Sequence, residues 1–296
     1  MDPGRRLDAA RTALVTDSSA DVPADRRPVN WRVVPIPVIF GDESFADGVD
    51  IDAAGFYERL ARSDRLPTTA QPSVAAIAAV LRDALESHET AVVLPVSGRM
   101  SGTLEAARAA AREVDEERVL VLESDSVCVA LGLLALRLQA RLERGCTAGE
   151  AVAAMDRLRA DHRCVFSLST LEYLQRGGRI GRAQAVVGSL LHVRPILQIE
   201  DGEVAPAGRV RGAHRVLPAI QEFLERHSEP DRPLRVALGH ASRPEVIPQL
   251  REMVEGCRPR AAIDLVGSVG PTVGTHAGPG AFVIAFVHDP LDDDGG

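Results

Sequence analysis

One histidine stands among small residues near the end of the chain, in the run Pro271–Ala281. Strand-like segments flank this run at Ala261–Val269 and Phe282–Val287, so its glycines and prolines predict a tight connection between two strands. Glycine lets a ligand or another backbone approach closely because it has no Cβ. The imidazole of His276 could therefore donate a hydrogen bond to an anion. The alternative is a histidine that only satisfies a local carbonyl group.

Two further segments are rich in hydroxyl side chains. Leu66–Ser73 leads into a predicted helix, and Val96–Thr103 joins the end of a buried strand to the start of another helix. Free N–H groups and the helix dipole favour an anion at a helix start, and ligands of open α/β sheets collect beyond the carboxyl ends of strands. Taken singly, each of these serines and threonines is more often a helix cap.

The turn Arg176–Gly181 is basic and rich in glycine, so it could contact a phosphate or an acidic partner. Its spacing differs from a dinucleotide fingerprint, and a Walker loop is excluded because the chain contains no lysine. Ser101 lies outside any G-x-S-x-G elbow, which weakens a hydrolase interpretation. The histidines show no HxxxH or HExxH spacing, so we predict no metal site.

Length and composition limit the class of protein. The 296 residues, 45% of them apolar, suffice for two domains with a sizeable core. The net charge of −8 argues against nucleic-acid binding. Four widely spaced cysteines indicate reduced thiols. Because there is no apolar leader and the longest apolar run, Val127–Leu136, is short, we expect a cytoplasmic protein without stable membrane insertion.

The order of the predicted elements differs between the two halves of the chain. Strands alternate with helices over residues 10–160, which predicts an α/β domain with a mostly parallel sheet covered on both faces. Over residues 161–290 the strands Pro195–Glu200 and Glu203–Ala207 flank Asp201-Gly202, a hairpin signal. This second region predicts an α+β domain with a mixed or antiparallel sheet, so the fold class is α/β with two domains.

Several specific segments follow one another along residues 12–288. They are Val15–Pro23, Val34–Asp50, Pro67–Ser73, Ser101–Thr103, Thr170–Gly181, Pro195–Leu197, Arg209–Gly212 and Gly274–Gly280. In this order they resemble the DegV family of bacterial fatty-acid-binding proteins. The resemblance covers nearly the whole chain. Its highly specific parts are Thr170–Gly181, Pro195–Leu197, Arg209–Gly212 and Gly274–Gly280.

The resemblance implies a carrier without catalytic residues or a cofactor, which binds a long-chain fatty acid non-covalently in a buried tunnel. By motif, Thr69 and Ser101 would bind the carboxylate, with His276 close by. Some members of the family are the acyl-binding subunit of a fatty acid kinase and present the carboxylate to a separate ATP-dependent subunit. Arg176 and Arg179 would then contact the phosphate or the partner. Further possible contacts are Ser97, Gly102, Thr103, Ala277 and Gly278.

The chain departs from the common family pattern at a few positions near the expected site. Ala70 stands where serine is usual and Ala277 where threonine is frequent, which leaves the head-group geometry and the chain preference open. The stretch Glu123–Cys128 replaces a usual Asp-Ser pattern. The small and apolar runs Val127–Leu138 and Ala185–Leu191 could form a tunnel wall, although core packing is the alternative for each residue.

Two other functions are compatible with the same residues. A serine-dependent acyl hydrolase or transferase would use Ser101 or Ser97 as nucleophile and His276 as base, but it requires a carboxylate that orients the histidine. A nucleotide or phosphate sensor would use the Arg176–Gly181 loop.

Overall fold

The secondary structure is described for residues 1–186 and 193–288 in a computed structural model. The strands are β1 Arg6–Leu7, β2 Thr12–Asp17, β3 Trp31–Val34, β4 Pro37–Phe40, β5 Glu43–Ala46, β6 Thr68–Thr69, β7 Thr90–Val93, β8 Val119–Val121, β9 Cys146–Thr147, β10 Arg163–Ser167, β11 Val193–Glu200, β12 Glu203–Arg211, β13 Leu234–His240, β14 Ala261–Ser268 and β15 Phe282–Val287. The helices are α1 Ala53–Arg62, α2 Val74–Ser87, α3 Thr103–Val114, α4 Cys128–Arg144, α5 Ala148–Asp161, α6 Glu172–Arg176, α7 Val216–Arg226, α8 Ile247–Cys257 and α9 Pro271–Ala277.

Four of the described strands form a parallel sheet in the order β3-β2-β7-β8. Successive side chains of a strand point to opposite faces. Ala13 and Val15 of β2 accordingly pack in a cluster with α2 and α3, whereas Leu14 packs in a cluster with α4. Helices therefore cover both faces, which is why every residue of β2 is buried. The predicted parallel sheet of the first half is confirmed.

A small antiparallel sheet in the first half positions one of the predicted site residues. Its order is β5-β4-β6. Gly41 adopts φ +61° in the tight turn between β4 and β5, a conformation that favours glycine. On the other side of β4, Val38 pairs with Thr69 of the short strand β6. The backbone of Thr69 is thereby fixed by strand pairing.

Six of the described strands form the mixed sheet of the second half, in the order β12-β11-β10-β15-β13-β14. The β13–β14 pair is parallel and the other pairs are antiparallel. Helices α7 and α8 cover the outer face through an apolar cluster that includes Phe223, Leu250 and Ile284. The predicted α+β arrangement with a mixed sheet is confirmed, including the hairpin around Asp201-Gly202.

The connection around His276 differs from the expectation of a tight turn between adjacent strands. That expectation is wrong, because β13 lies between β14 and β15 in the sheet. The chain leaves β14 and must cross β13 before it can enter β15, which runs antiparallel to β13. Helix α9 makes this crossing, with Pro271 at its first position, where a missing N–H costs nothing. His276 is therefore a helical residue.

Residues from both halves of the chain share the largest apolar cluster. It contains Leu14 of β2 and Leu134 of α4 together with Cys164 of β10 and Val283 of β15. The division into domains at residues 160 and 161 stays a prediction. In the described part of the chain, no helix combines the length and the apolar character needed to cross a membrane.

Candidate functional site

A partly enclosed cavity lies between the two large sheets. One wall comes from the carboxyl ends of the parallel strands and the start of α4, through Ser19, Val96 and Cys128. The other wall is the inner face of the mixed sheet, with Phe166 of β10 and Val283 of β15. Concave sites of this kind, lined mainly by apolar side chains, are typical of small-molecule binding. The location agrees with the predicted ligand position beyond the carboxyl ends of strands.

Most side chains that line this cavity are apolar. They include Ile36, Val96, Met100, Val127, Phe166, Leu168, Leu174, Ile199, Val204, Val269, Val273, Phe282 and Val283. Seven polar side chains from five separate segments also line it: Ser19, Thr69, Gln71, Ser101, Arg179, Thr272 and His276. A predominantly apolar cavity with a few convergent polar groups suits a ligand that has a long apolar body and a polar end.

His276 and Thr69 are brought together from opposite ends of the chain. Nε2 of His276 lies 2.9 Å from Oγ1 of Thr69. Nδ1 of the same ring is inaccessible to water and has no hydrogen-bond partner among the described residues. A Cβ at Gly177 would come within 2.2 Å of Nδ1, so the ring packs directly against that glycine. The glycine of the basic turn thus makes room for the imidazole.

The imidazole of His276 is neutral at pH 7. Burial, and to a lesser extent the charge of Arg179, lower the pKa of His276 to about 4. A neutral imidazole carries its proton on one nitrogen only. If that nitrogen is Nε2, it donates to Thr69 Oγ1 and leaves the threonine hydroxyl hydrogen free to donate to an anion. The pair can therefore act as a hydrogen-bond donor without a permanent positive charge.

Ser101 lies in the loop that precedes α3. Its backbone N–H donates to Ser97 O at 3.1 Å, and its Oγ lies 2.8 Å from Thr103 Oγ1. Ser101 lines the cavity, whereas Thr103 is buried at the first position of α3 and does not line it. The structure thus places Ser101 at the cavity with Thr69 and His276, the three residues expected to surround one anion.

The two arginines of the basic turn differ in their surroundings. Both side chains are exposed, and Arg176 pairs with Glu172 at 2.8 Å. Arg179 lines the cavity and donates to the carbonyl oxygens of Met100 at 3.2 Å and Gly177 at 2.9 Å. No carboxylate among the described residues pairs with Arg179. Its charge is thus available for an anion in the cavity, and that of Arg176 is partly compensated on the surface.

Two buried carboxylates fix the start of α9. Gly270, which precedes the helix, donates its N–H to Asp21 Oδ1 at 2.9 Å. Thr272 donates both its N–H and its hydroxyl to Asp47 Oδ2, at 3.1 and 2.5 Å. A carboxylate at the start of a helix also interacts favourably with the helix dipole. These bonds join positions more than 220 residues apart in the sequence, and they set where His276 stands.

Of the other predicted contact residues, Ala277 lines the cavity. Ser97, Gly102 and Gly278 instead make contacts that pack neighbouring segments together. Ser97 is buried and donates its hydroxyl to Gly202 O at 2.7 Å, which fixes the β11–β12 turn against the parallel sheet. Gly102 leaves room for Gln71, whose Oε1 would lie 1.9 Å from a Cβ there. Gly278 adopts φ +70° and packs against the ring of Tyr173.

The sequence did not predict all residues that line the cavity. Gln71 lies within the hydroxyl-rich segment Leu66–Ser73, and its amide lines the cavity although no motif indicates a role for it. Of the run Val127–Leu138, only Val127 and Cys128 line the cavity, because the rest of α4 is packed between the sheets. In Ala185–Leu191, residues 187–191 lie outside the described part, and Ala185 is exposed and does not line the cavity. The mixed sheet supplies the larger apolar wall instead.

The sequence and fold of this chain match a known family. Residues 11–289 match the DegV family, described as "Uncharacterised protein, DegV family". Protein DegV of Bacillus subtilis (strain 168) is 31% identical over 277 residues, which cover 93% of this chain and 98% of that protein. The chain therefore belongs to the DegV family.

Solved structures share this fold. A DegV family protein from Thermus thermophilus, described as fatty acid binding, superimposes with a TM-score of 0.87 at 34% identity, over 94% of this chain and 99% of that one. A Streptococcus pneumoniae fatty acid kinase B3 protein loaded with linoleic acid gives a TM-score of 0.82 over 94% of this chain and 100% of that one. At 20% identity, the similarity to this second protein shows a shared fold.

Asp21→Asn tests the electrostatics of the carboxylates that fix α9. Burial, followed by the charge of Asp47, raises the pKa of Asp21 well above its usual value. Above pH 3.8, Asp21 therefore keeps its proton in the native state but loses it in the unfolded state. The free energy of unfolding then falls as the pH rises from 3.8 to the native pKa of Asp21. Asparagine does not titrate, so we expect Asp21→Asn to make the free energy of unfolding less dependent on pH, by up to about 1.4 kcal/mol per pH unit. Urea unfolding between pH 4 and pH 9 measures it, with exposed Asp42→Asn as control.

Gly177→Ala tests the packing against His276. The new Cβ would overlap Nδ1, so the ring must move away from Thr69 or the backbone must shift. We expect the free energy of unfolding to fall by about 1–3 kcal/mol and the imidazole resonances of His276 to shift in NMR spectra. Gly256→Ala is the matched control, since no heavy atom lies within 4 Å of a Cβ there. Unchanged His276 resonances in Gly177→Ala would contradict the assigned contact.

Proposed function

We propose that this protein is a fatty-acid carrier, which binds a long-chain fatty acid non-covalently with its carboxylate among Thr69, Ser101 and His276. The observation that carries this proposal is the cavity between the sheets, whose lining is apolar except for convergent polar groups. The fatty acid binding described for the Thermus thermophilus relative supports the same ligand class. The fatty acid is the ligand, and the proposal requires no cofactor.

Burial of the acyl chain would supply most of the affinity. Each methylene group transferred from water contributes about 0.8 kcal/mol, so some fifteen of them contribute on the order of 10 kcal/mol before the costs of ordering the chain and restricting its motion. The valine, leucine and phenylalanine side chains of the mixed sheet offer the apolar surface that this requires. The protein would thereby shield the tail from water without any covalent bond.

The carboxylate needs several donors when it leaves water, because an unpaired buried charge is costly. The hydroxyl of Thr69, oriented by the imidazole of His276, the hydroxyl of Ser101 and the guanidinium of Arg179 can supply them. Arg179 adds the positive charge that the neutral His276 lacks. Charge-assisted hydrogen bonds of this kind are roughly twice as strong as neutral ones. This donor set gives the head group a defined position.

The carboxylate end also faces the protein surface, as presentation to a partner requires. Thr69, His276 and Arg179 also line a second, more polar crevice in addition to the main cavity. Arg65 and Arg176 line the outer part of the same crevice. We infer that an ATP-dependent fatty acid kinase subunit reaches the carboxylate through this crevice and converts it into an acyl phosphate. The arginines would then neutralise the transferred phosphate group.

The geometry does not favour the serine-dependent hydrolase. The hydroxyl of Ser101 lies against Thr103, and Nε2 of His276 lies against Thr69. Nδ1, where a catalytic triad would place its orienting carboxylate, has no partner among the described residues. Ser97, the other nucleophile considered, donates its hydroxyl to a backbone carbonyl in the interior.

Mass spectrometry of the purified protein tests the carrier function. We expect native spectra to show a bound fatty acid that is released intact when the protein is denatured. A protein that is empty, and that also takes up no fatty acid from a supplied mixture, would refute the proposal. An acyl adduct that survives denaturation would refute non-covalent binding and favour the hydrolase instead.

Thr69→Ala and Ser101→Ala test the head-group assignment. Each change removes one hydroxyl donor, so we expect fatty-acid affinity to weaken by about 1–3 kcal/mol per variant. Calorimetric titration of delipidated protein with a fatty acid measures the change. Exposed Ser44→Ala is the control, because its side chain lines neither the cavity nor the crevice. Wild-type affinity in both site variants would rule out these two residues as carboxylate ligands.

Arg179→Gln and Arg176→Gln separate the roles of the two arginines. Because Arg179 lines the cavity and Arg176 pairs with Glu172, we expect a larger loss of acyl phosphate formation in Arg179→Gln. The assay contains a purified ATP-dependent fatty acid kinase subunit, ATP and the fatty-acid-loaded protein. Equal activity of both variants would contradict the distinction drawn from their surroundings.

A further inference from the structure

Two hydroxyl side chains lie in an otherwise apolar part of the cavity wall. Ser19 belongs to the turn that follows β2, and Thr272 lies near the start of α9. Both residues line the cavity, and both are buried, with 1% and 8% of their surfaces exposed. Helix α9 packs against the turn that contains Ser19. The two hydroxyls thus share one region of the wall, together with apolar Ile36 and Val269.

Each of these hydroxyls already donates its hydrogen to a buried carboxylate. Ser19 Oγ donates to Asp17 Oδ1 at 2.5 Å, and Thr272 Oγ1 donates to Asp47 Oδ2 at 2.5 Å. A hydroxyl has one donor hydrogen and two acceptor lone pairs. Within the described part of the chain, no group donates a hydrogen bond to either oxygen. A further hydrogen bond to Ser19 or Thr272 must therefore come from a group that carries the hydrogen itself.

The two hydroxyls lie along the proposed path of the acyl chain and not at its carboxylate. Thr272 precedes His276 by four residues of α9, which is about 6 Å along the helix axis. The proposed carboxylate site at Thr69, Ser101 and His276 is therefore about one helical turn away. A fatty acid with its carboxylate at that site would pass Ser19 and Thr272 with its hydrocarbon chain.

A hydroxyl group on the acyl chain is the substituent that fits these two oxygens. It carries a donor hydrogen, whereas a keto group offers only acceptor lone pairs. A hydroxyl buried without a partner is costly, and the neighbouring wall is apolar, so the two oxygens would determine where along the chain a hydroxyl is accepted. An unsubstituted chain is tolerated as well, because each protein hydroxyl keeps its bond to a carboxylate.

We propose that Ser19 and Thr272 form a subsite for a hydroxyl group on the acyl chain, so that hydroxy fatty acids are ligands of this protein. This inference rests on the proposed carrier function and on the head group lying at Thr69, Ser101 and His276. The hydroxyl of the ligand donates to Ser19 Oγ or to Thr272 Oγ1. Binding at the subsite is non-covalent.

Positional isomers of hydroxyoctadecanoic acid test the subsite in the wild-type protein. Delipidated protein is titrated calorimetrically with acids that carry one hydroxyl at a defined carbon, with the corresponding keto acids and with octadecanoic acid. We expect one hydroxyl position, or two adjacent ones, to bind at least as tightly as octadecanoic acid. The other positions, and the keto acid of the preferred position, should bind roughly tenfold more weakly, which corresponds to about one hydrogen bond.

Ser19→Ala and Thr272→Val together remove both acceptor oxygens. Because the ligand hydroxyl has one hydrogen that either oxygen can accept, we expect the full effect in the double variant. Its affinity for the preferred hydroxy acid should fall roughly tenfold, with little change in its affinity for octadecanoic acid. Thr90→Val is the matched control, since Thr90 is buried on β7 and its hydroxyl bonds to that of Thr12, outside the cavity.

The wild-type titrations decide the question even if the double variant does not fold. A protein that binds octadecanoic acid but prefers no hydroxyl position, or that binds the keto acid equally well, would overturn the inference and leave the carrier function intact. An equal loss of affinity for hydroxy and unsubstituted acids in the double variant would also overturn it, because the two hydroxyls would then act on the carboxylate or on the fold. A wild-type protein that binds none of these acids would refute the carrier function itself.

Discussion

The structure depends on hydrogen bonds from the start of α9 to two buried carboxylates near the parallel sheet. Asp21 and Asp47 accept the N–H groups of Gly270 and Thr272, which come from the far end of the chain. Buried carboxylates are stable only when they are protonated or receive donors, so this contact is specific. It brings the mixed sheet against the carboxyl ends of the parallel strands, and His276 beside Thr69.

The cavity between the sheets follows from that contact. Helix α4 is packed into the largest apolar cluster, and the space beyond its first residues is lined by the inner face of the mixed sheet. Polar side chains from five segments converge on this space, which is otherwise apolar. A long apolar ligand with an anionic end would satisfy both properties. In the proposed carrier, neutral His276 would orient a hydrogen-bond donor and charged Arg179 would compensate the charge of the ligand.

Sequence patterns were reliable where the signal is local. The Asp201-Gly202 hairpin follows from turn chemistry, and the parallel sheet of residues 10–160 follows from the alternation of strands and helices. Both predictions are confirmed. The segment around His276 was misinterpreted, because glycine and proline are typical of turns and of short helix boundaries alike. Only the strand order, with β13 inserted between β14 and β15, shows that a helix must make the connection.

The sequence by itself determined the family, the alternation of strands and helices, and three residues with hydroxyl or imidazole groups that suit a carboxylate. These follow from residue types and short spacings, which tertiary contacts do not alter. The tertiary structure decided that Arg179 lines the cavity while Arg176 pairs with Glu172, and that Gln71 and Cys164 belong to the lining. The cavity lining brings together residues more than 200 positions apart, such as Gln71 and Val283, and a linear sequence does not show which side chains meet.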